Sequence, residues 1–186
     1  MTAQGTRRGI LSRLRKFRGD RHGVAAVEFA LTLPIMLTIY LGGVEVGDGF
    51  AIDTRATLVA RTVADLATQY ISIDNQDMSN ILGASTQLVA PYSATYITVT
   101  ISEITTDNNG NGTVTWSDSL NGTARTVPSK ITLPTALQMP NISIILGEVT
   151  YAYTPALGYV MTGTITMSDS FYMMPRLSNS VTRVNS

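Results

Sequence analysis

The sequence predicts an α+β fold: a long N-terminal helix, its first half transmembrane, with the second half packed on a small antiparallel β-sheet. Three observations carry this. Phe29–Val44 runs for sixteen residues without a charge. Ile52, Ala56, Val59, Val63, Leu66 and Tyr70 recur at spacings of three and four, which makes one stripe along a helix. From Tyr96 onward, short alternating runs are separated by turn-rich segments.

The apolar run grows to a span of about 20 residues when Val24–Glu28 and Glu45–Val46 are added, enough to cross a bilayer. No polar face interrupts it, unlike the usual core helix of a soluble domain. Charge is distributed unevenly around it. Residues 1–23 carry seven basic side chains against Asp20 alone, a balance of +6, and the rest of the chain carries −6. Basic residues directly before an apolar span stay in the cytoplasm, so the body from about residue 47 is exported. The expected organisation is a basic cytoplasmic leader over 1–23, a transmembrane helix over 24–46 and an exported α+β domain over 47–186. Pro34 would break a soluble helix but is tolerated in a membrane. Gly42, Gly43, Gly47 and Gly49 predict a soft point at the junction, and Glu45 is expected to mark the membrane exit.

A helix from Val24 to Tyr70 would be about 70 Å long at 1.5 Å per residue. A second, short helix is expected over Gln76–Val89, ending before Pro91. In the β region, Tyr96–Ile104 alternates, with Ile97, Val99 and Ile101 on one face. The turn-forming Asp107–Gly112 separates it from a partner strand at Thr113–Trp116. Ile144–Tyr153 and Thr164–Met173 are two further strands around the Pro155–Gly163 turn region. Ser117–Asn141 reads as loop, and Trp116 as an anchor between sheet and helix.

Composition excludes several chemistries. The chain has no cysteine, so disulfides and thiolate nucleophiles are absent, and its single histidine is His22 in the basic tail. A Ser-His-Asp triad or a histidine metal cluster has nothing to be built from. No enzyme activity, cofactor or metal is expected. Asp107, Asn109, Asn111 and Asp118 have the spacing of a calcium loop, but strands flank them and only two are carboxylates. A β-hairpin turn accounts for the same Asn and Gly residues.

The informative junction is Arg21-His22-Gly23-Val24-Ala25-Ala26-Val27-Glu28-Phe29. A carboxylate entering an apolar span costs roughly 2–3 kcal/mol at the bilayer centre and less near the interface, so Glu28 calls for compensation. Cleavage after Gly23 would place a new amino group on Val24, four residues before Glu28. The two groups could then pair with neighbouring copies or subunits.

A basic leader, glycine, four small or apolar residues, glutamate and an apolar helix resemble a type IV prepilin processed by a prepilin peptidase. More narrowly, the segment from Gly23 to Gly47 resembles the TadE/TadF-like pseudopilins of the Tad (tight adherence) pilus. The shared features are Ala25 and Ala26, the Val27-Glu28-Phe29-Ala30 string, Leu33-Pro34, and Glu45 with Gly47. Trp116, the Tyr151–Pro155 stretch and Met174-Pro175-Arg176 agree more loosely.

The resemblance implies a pilin-like minor subunit of the bacterial inner membrane, with its N-terminus cytoplasmic and its C-terminal domain periplasmic. Gly23 and Val24 would be the processing site, and Glu28 with Phe29 the assembly residues. The implied partners are the prepilin peptidase, other pilins and pseudopilins, an inner-membrane assembly platform and membrane lipid, with no nucleic acid. The role would be structural, in or at the base of a pilus used for surface adherence. The alternatives are an uncleaved, single-pass periplasmic binding or sensor domain and, less in keeping with the long apolar run, a secreted protein with a signal peptide.

Overall fold

The computed structural model describes residues 21–155, 158 and 162–184. Most of the basic leader and much of the Pro155–Gly163 turn therefore lie outside the described residues. Helix α1 (Arg21–Thr68) runs unbroken for 48 residues, through Pro34 and through all four junction glycines. The expected soft point does not interrupt it. Gly42 and Gly49 are buried, and packing there offsets the roughly 1 kcal/mol that glycine costs a helix interior.

The two halves of α1 face different surroundings. Every residue from Gly23 to Tyr40 is exposed, on all sides of the helix. From Gly42 a buried stripe begins: Gly42, Glu45, Gly49, Ile52, Ala56, Val59 and Val63, at alternating steps of three and four. Those steps keep one face on a partner surface, and here the partner is the sheet. Ala60, Ala64 and Ala67 widen the stripe, while Leu66 and Tyr70 pack at its margin.

After a two-residue strand β1 (Ser72–Ile73) comes α2 (Asn75–Leu88), close to the expected second helix. Its start is fixed by a reciprocal capping box. Asp74 Oδ1 accepts from the Asp77 backbone N–H at 2.7 Å, and Asp77 Oδ2 accepts from that of Asp74 at 3.4 Å. The pair satisfies two of the amide donors that a helix N-terminus leaves open. At the other end, Arg55 of α1 donates to the Leu88 carbonyl at 3.1 Å, tying the two helices together.

Strands β2 (Ile97–Thr106), β3 (Gly112–Leu120), β4 (Ser129–Ile131), β5 (Ser143–Tyr153) and β6 (Ile165–Met173) form one antiparallel sheet in the order β4-β3-β2-β5-β6. Strand β7 (Thr182–Arg183) returns to pair in parallel with β1. The segment expected as loop from Ser117 contains the end of β3 and the whole of β4. Its polar side chains hide the strand, because they lie on the back of the sheet: Ser117 and Ser119 meet Ser102 and Thr100 of β2 through hydroxyl hydrogen bonds.

α1 crosses β5 and β6, and α2 lies beside it on the same face. The main core therefore sits between helices and sheet and contains Ile97, Val99, Ile101, Ile145, Val149 and Trp116. Trp116 is held there by its indole N–H, which donates to Val181 O at 2.7 Å. A smaller core of Ile104, Val114, Leu133, Ile144 and Leu146 covers one end of the back face.

A bulge connects the two cores. Glu103 pairs with Trp116, but Ile104 pairs with Val114, leaving Thr115 as the extra residue. The extra residue lets Val114 and Trp116, two apart in sequence, serve opposite faces of the sheet.

Candidate functional site: the head and junction of helix α1

Gly23, Val24, Glu28 and Phe29 all lie on α1, and all are exposed. A Cβ added to Gly23 would meet nothing within 4 Å. Nothing within the described chain therefore requires a glycine there, although glycine weakens a helix. Val24 and Phe29 leave 64 % and 59 % of their surfaces uncovered, as do their apolar neighbours up to Tyr40. The described residues supply no ion-pair partner for Glu28.

Two hydroxyls along this half of the helix are satisfied locally. Thr32 Oγ1 donates to the Glu28 carbonyl at 2.9 Å, and Thr38 Oγ1 to that of Pro34 at 2.8 Å. Such back-bonding keeps hydroxyl donors inside the helix, so that its outer surface is almost wholly apolar. By length and composition α1 is apolar enough to cross a membrane.

Residues 23–65 match the family model for TadE-like protein. No curated protein and no solved structure matches the chain. The TadE-like match starts at Gly23 and ends within α1, so it covers both the exposed half and most of the half that packs on the sheet. The match suggests a relation to Tad pili, and it rests on this segment alone. One apolar N-terminal helix fits membrane anchoring in that setting.

Lower on the TadE-like helix, Glu45 is buried at 2 % exposure. It belongs to the same seven-residue series as Ile52 and Val59, so the stripe reaches beyond the Ile52–Tyr70 stretch expected for it. Tyr153, at the end of β5, donates its hydroxyl to the Glu45 carbonyl at 3.3 Å. Burial raises the Tyr153 phenol above its ordinary range, and the nearby carboxylates of Asp48 and Glu45 push it further in the same direction. The Tyr151–Pro155 stretch thus finds its place against the junction of α1.

Met174-Pro175-Arg176 meets the far end of the same helix. The Arg176 backbone N–H donates to the Thr68 carbonyl at 3.0 Å, and its guanidinium pairs with Asp65. The first contact satisfies a carbonyl at the C-terminus of α1, where carbonyls lack helical donors, and the ion pair fastens the same last turn.

The Asp107 loop is a hairpin turn. Asp107 Oδ1 accepts from the backbone N–H groups of Asn109 and Asn111 at 2.8 and 2.9 Å, and Oδ2 accepts from the Asn111 amide at 2.8 Å. The Asn111 side-chain bond, followed by its backbone bond, holds the Asp107 carboxyl below its ordinary range. Gly110 takes φ +80°, and a Cβ there would come 2.5 Å from Gln138 O. Asp118 is engaged elsewhere, in an ion pair with Arg183 at 2.9 Å.

One functional group of the fold carries no signal in the sequence. Glu103 is buried in the sheet, and its carboxylate is fully used. Oε1 accepts from Ser143 Oγ and the Val181 N–H, both at 2.7 Å, and Oε2 accepts from Thr115 Oγ1 at 2.8 Å. Thus the bulge residue, the start of β5 and the C-terminal segment are joined at a single side chain.

Proposed function

We propose that this protein is a minor pilin or pseudopilin, a structural assembly subunit of a Tad-type pilus that contributes to surface adherence. The observation that carries the proposal is the division of α1 within the TadE-like match: apolar and exposed on every side up to Tyr40, then the core helix of a folded domain. In this reading residues 24–46 sit in the inner membrane, the basic leader is cytoplasmic, and the domain is periplasmic. A prepilin peptidase cleaves between Gly23 and Val24. The openness around Gly23 supports this, since the demand for a small residue then comes from the protease rather than from packing.

Glu28 is the assembly residue in this reading. Its carboxylate pairs with the new amino group of a neighbouring pilin, and the low dielectric of the membrane strengthens the pair. Phe29 lies beside it on the docking surface. Other pilins, the inner-membrane assembly platform and lipid complete the set of partners.

Mass spectrometry of the mature N-terminus tests the proposal. Co-expressed with a prepilin peptidase, the protein should lose its first twenty-three residues, and Gly23→Arg should block the loss. Glu28→Gln should leave insertion and cleavage intact while weakening crosslinking to partner pilins and lowering pilus counts. An intact leader on the native membrane protein would instead indicate an anchored periplasmic binding domain. Normal piliation with Glu28→Gln, cleavage confirmed, would reduce Glu28 to an interfacial residue.

A further inference from the structure

A cleft of about 310 Å³ opens beside α1, where the segment after α2 meets the end of β5. Four tyrosines line it. Tyr151 and Tyr153 of β5 are buried, Tyr92 is half-buried, and Tyr96 is 57 % exposed. Tyr96 and Tyr151 meet edge to face, with centroids 6.4 Å apart and planes at 68°. The polar part of the lining comes from Asp48 of α1, Ser93 and Thr154.

Two of the tyrosines are fixed in place. The Tyr153 hydroxyl donates to the Glu45 carbonyl at 3.3 Å, and that of Tyr151 is bonded to the Ser93 backbone. Three other groups are open. Among the described residues, no hydrogen bond or ion pair engages the Asp48 carboxylate or the hydroxyls of Tyr92 and Tyr96. Ser93 Oγ accepts from the Thr95 N–H at 3.3 Å and keeps its own hydrogen to donate.

This set of groups selects a ligand. Hydroxyls both donate and accept, whereas a carboxylate only accepts, and its two oxygens can bridge two neighbouring ligand hydroxyls. The faces of aromatic rings are negative, so they attract C–H bonds that oxygen substituents have polarised. A pyranose sugar answers both demands, with a face of such C–H bonds and a rim of hydroxyls. A simple cation would use the rings and the carboxylate but leave the hydroxyl donors unanswered. The volume lies at the lower end of the range for small-molecule sites, about 300–1,000 Å³. It suits one sugar ring rather than several.

We propose that this cleft binds the terminal pyranose of a glycan, with the chain leaving past the exposed Tyr96. Tyr96 supplies the stacking face, braced by Tyr151, and Asp48 accepts from two sugar hydroxyls. The assignment goes beyond the pilin reading and does not depend on where the membrane span ends.

The test uses the full-length chain in sugar-free lipid nanodiscs, with the variants Asp48→Asn and Tyr96→Ala. Saturation-transfer NMR is recorded with the methyl glycosides of glucose, galactose, mannose and N-acetylglucosamine, and with the corresponding free sugars. A further probe is 2-methoxytetrahydropyran, the same ring without hydroxyls. At least one glycoside should bind, with saturation strongest at its ring C–H protons, and 2-methoxytetrahydropyran should not. Asp48→Asn should weaken that binding about tenfold, in keeping with the loss of a hydrogen bond to a charged group. Tyr96→Ala should weaken it roughly fivefold.

Asp48→Asn changes an exposed side chain with little change of shape, so its result stands even if Tyr96→Ala disturbs the fold. Failure of all the glycosides to bind overturns the proposal. Binding unchanged in Asp48→Asn, or equal binding of 2-methoxytetrahydropyran, overturns it too, because the cleft would then be merely apolar. Free sugars bound without their glycosides overturn the glycan assignment. Displacement of a bound glycoside by ethanolamine at equal concentration assigns the cleft to a cation instead.

Discussion

Gly147 of β5 lies directly under the Ala60 carbonyl of α1, so close that a Cβ on Gly147 would stand 2.5 Å from that oxygen and 3.2 Å from the Ala64 Cβ. Small residues on both sides set the distance between helix and sheet. Gly147→Ala should force the two layers apart and destabilise the domain by about 1–3 kcal/mol, the usual range for overpacking. A melt of the full chain in mild detergent measures it, and an unchanged midpoint would mean that the layers are free to slide.

Val59 and Val63 are fully buried in the same interface. An aspartate at either place would bury a charge with no partner, which costs several kcal/mol. Val59→Asp and Val63→Asp should each lower the melting temperature steeply or abolish the folded domain. Wild-type melting in both would mean that this face of α1 does not pack on the sheet.

Glu103 holds the C-terminal segment through the buried Val181 N–H. Glu103→Ala leaves that donor and the buried Ser143 hydroxyl without their acceptor, at a cost of about 1–3 kcal/mol for each, while the exposed Thr115 keeps the Glu103 carbonyl. Hydrogen exchange should show the Val181 amide losing protection in this variant well before the amides of β5. Equal protection in the two proteins would show that the segment is held by packing alone.

Tyr151 and Tyr153 have raised phenol values in the folded protein, chiefly because burial disfavours the charged form. The unfolded chain releases these protons near pH 10, the folded chain only above it. Their contribution is therefore complete below pH 10 and is lost as pH rises towards the folded values. Melting temperature should fall across this window, and Tyr153→Phe should make the fall shallower. A parallel decline in both proteins would assign the alkaline sensitivity to other groups.

Gly83 lies on the exposed side of α2, and a methyl group added there would meet nothing within 4 Å. Gly83→Ala should stabilise the domain by about 0.5–1 kcal/mol through helix propensity alone. For a chain of this size that corresponds to a rise of roughly 2–4 °C for each kcal/mol. No rise would indicate that α2 adds little to the cooperative unit.

The sequence is most readable where one rule acts alone. The apolar half of α1 and the Ile52–Val63 stripe follow from spacing, and the strands from Ile97 and Ile144 follow from apolar alternation. Reading is harder where a residue's environment comes from distant parts of the chain. Glu103 is buried because Thr115, Ser143 and Val181 converge on it from three segments. Val114 and Trp116 have the spacing of one face, yet the Thr115 bulge sends them to two. The pairing of Ser72–Ile73 with Thr182–Arg183 spans almost the entire domain, and two-residue strands carry no period. Glu45 is partly legible. It sits seven residues before Ile52, but its charge argues for exposure, and only the packed structure shows the series winning.

The unbroken run of α1 gives the molecule the mechanics of a rod fixed in a handle. Its main-chain hydrogen bonds pass from the apolar half into the domain core without a joint. A tilt of the apolar half must turn the sheet with it, and a pull on the sheet reaches the apolar half as a load along the helix axis. For a subunit drawn out of a bilayer, anchor and domain would therefore move as one body. The apolar half would be uncovered only at the rate at which neighbouring apolar surface receives it.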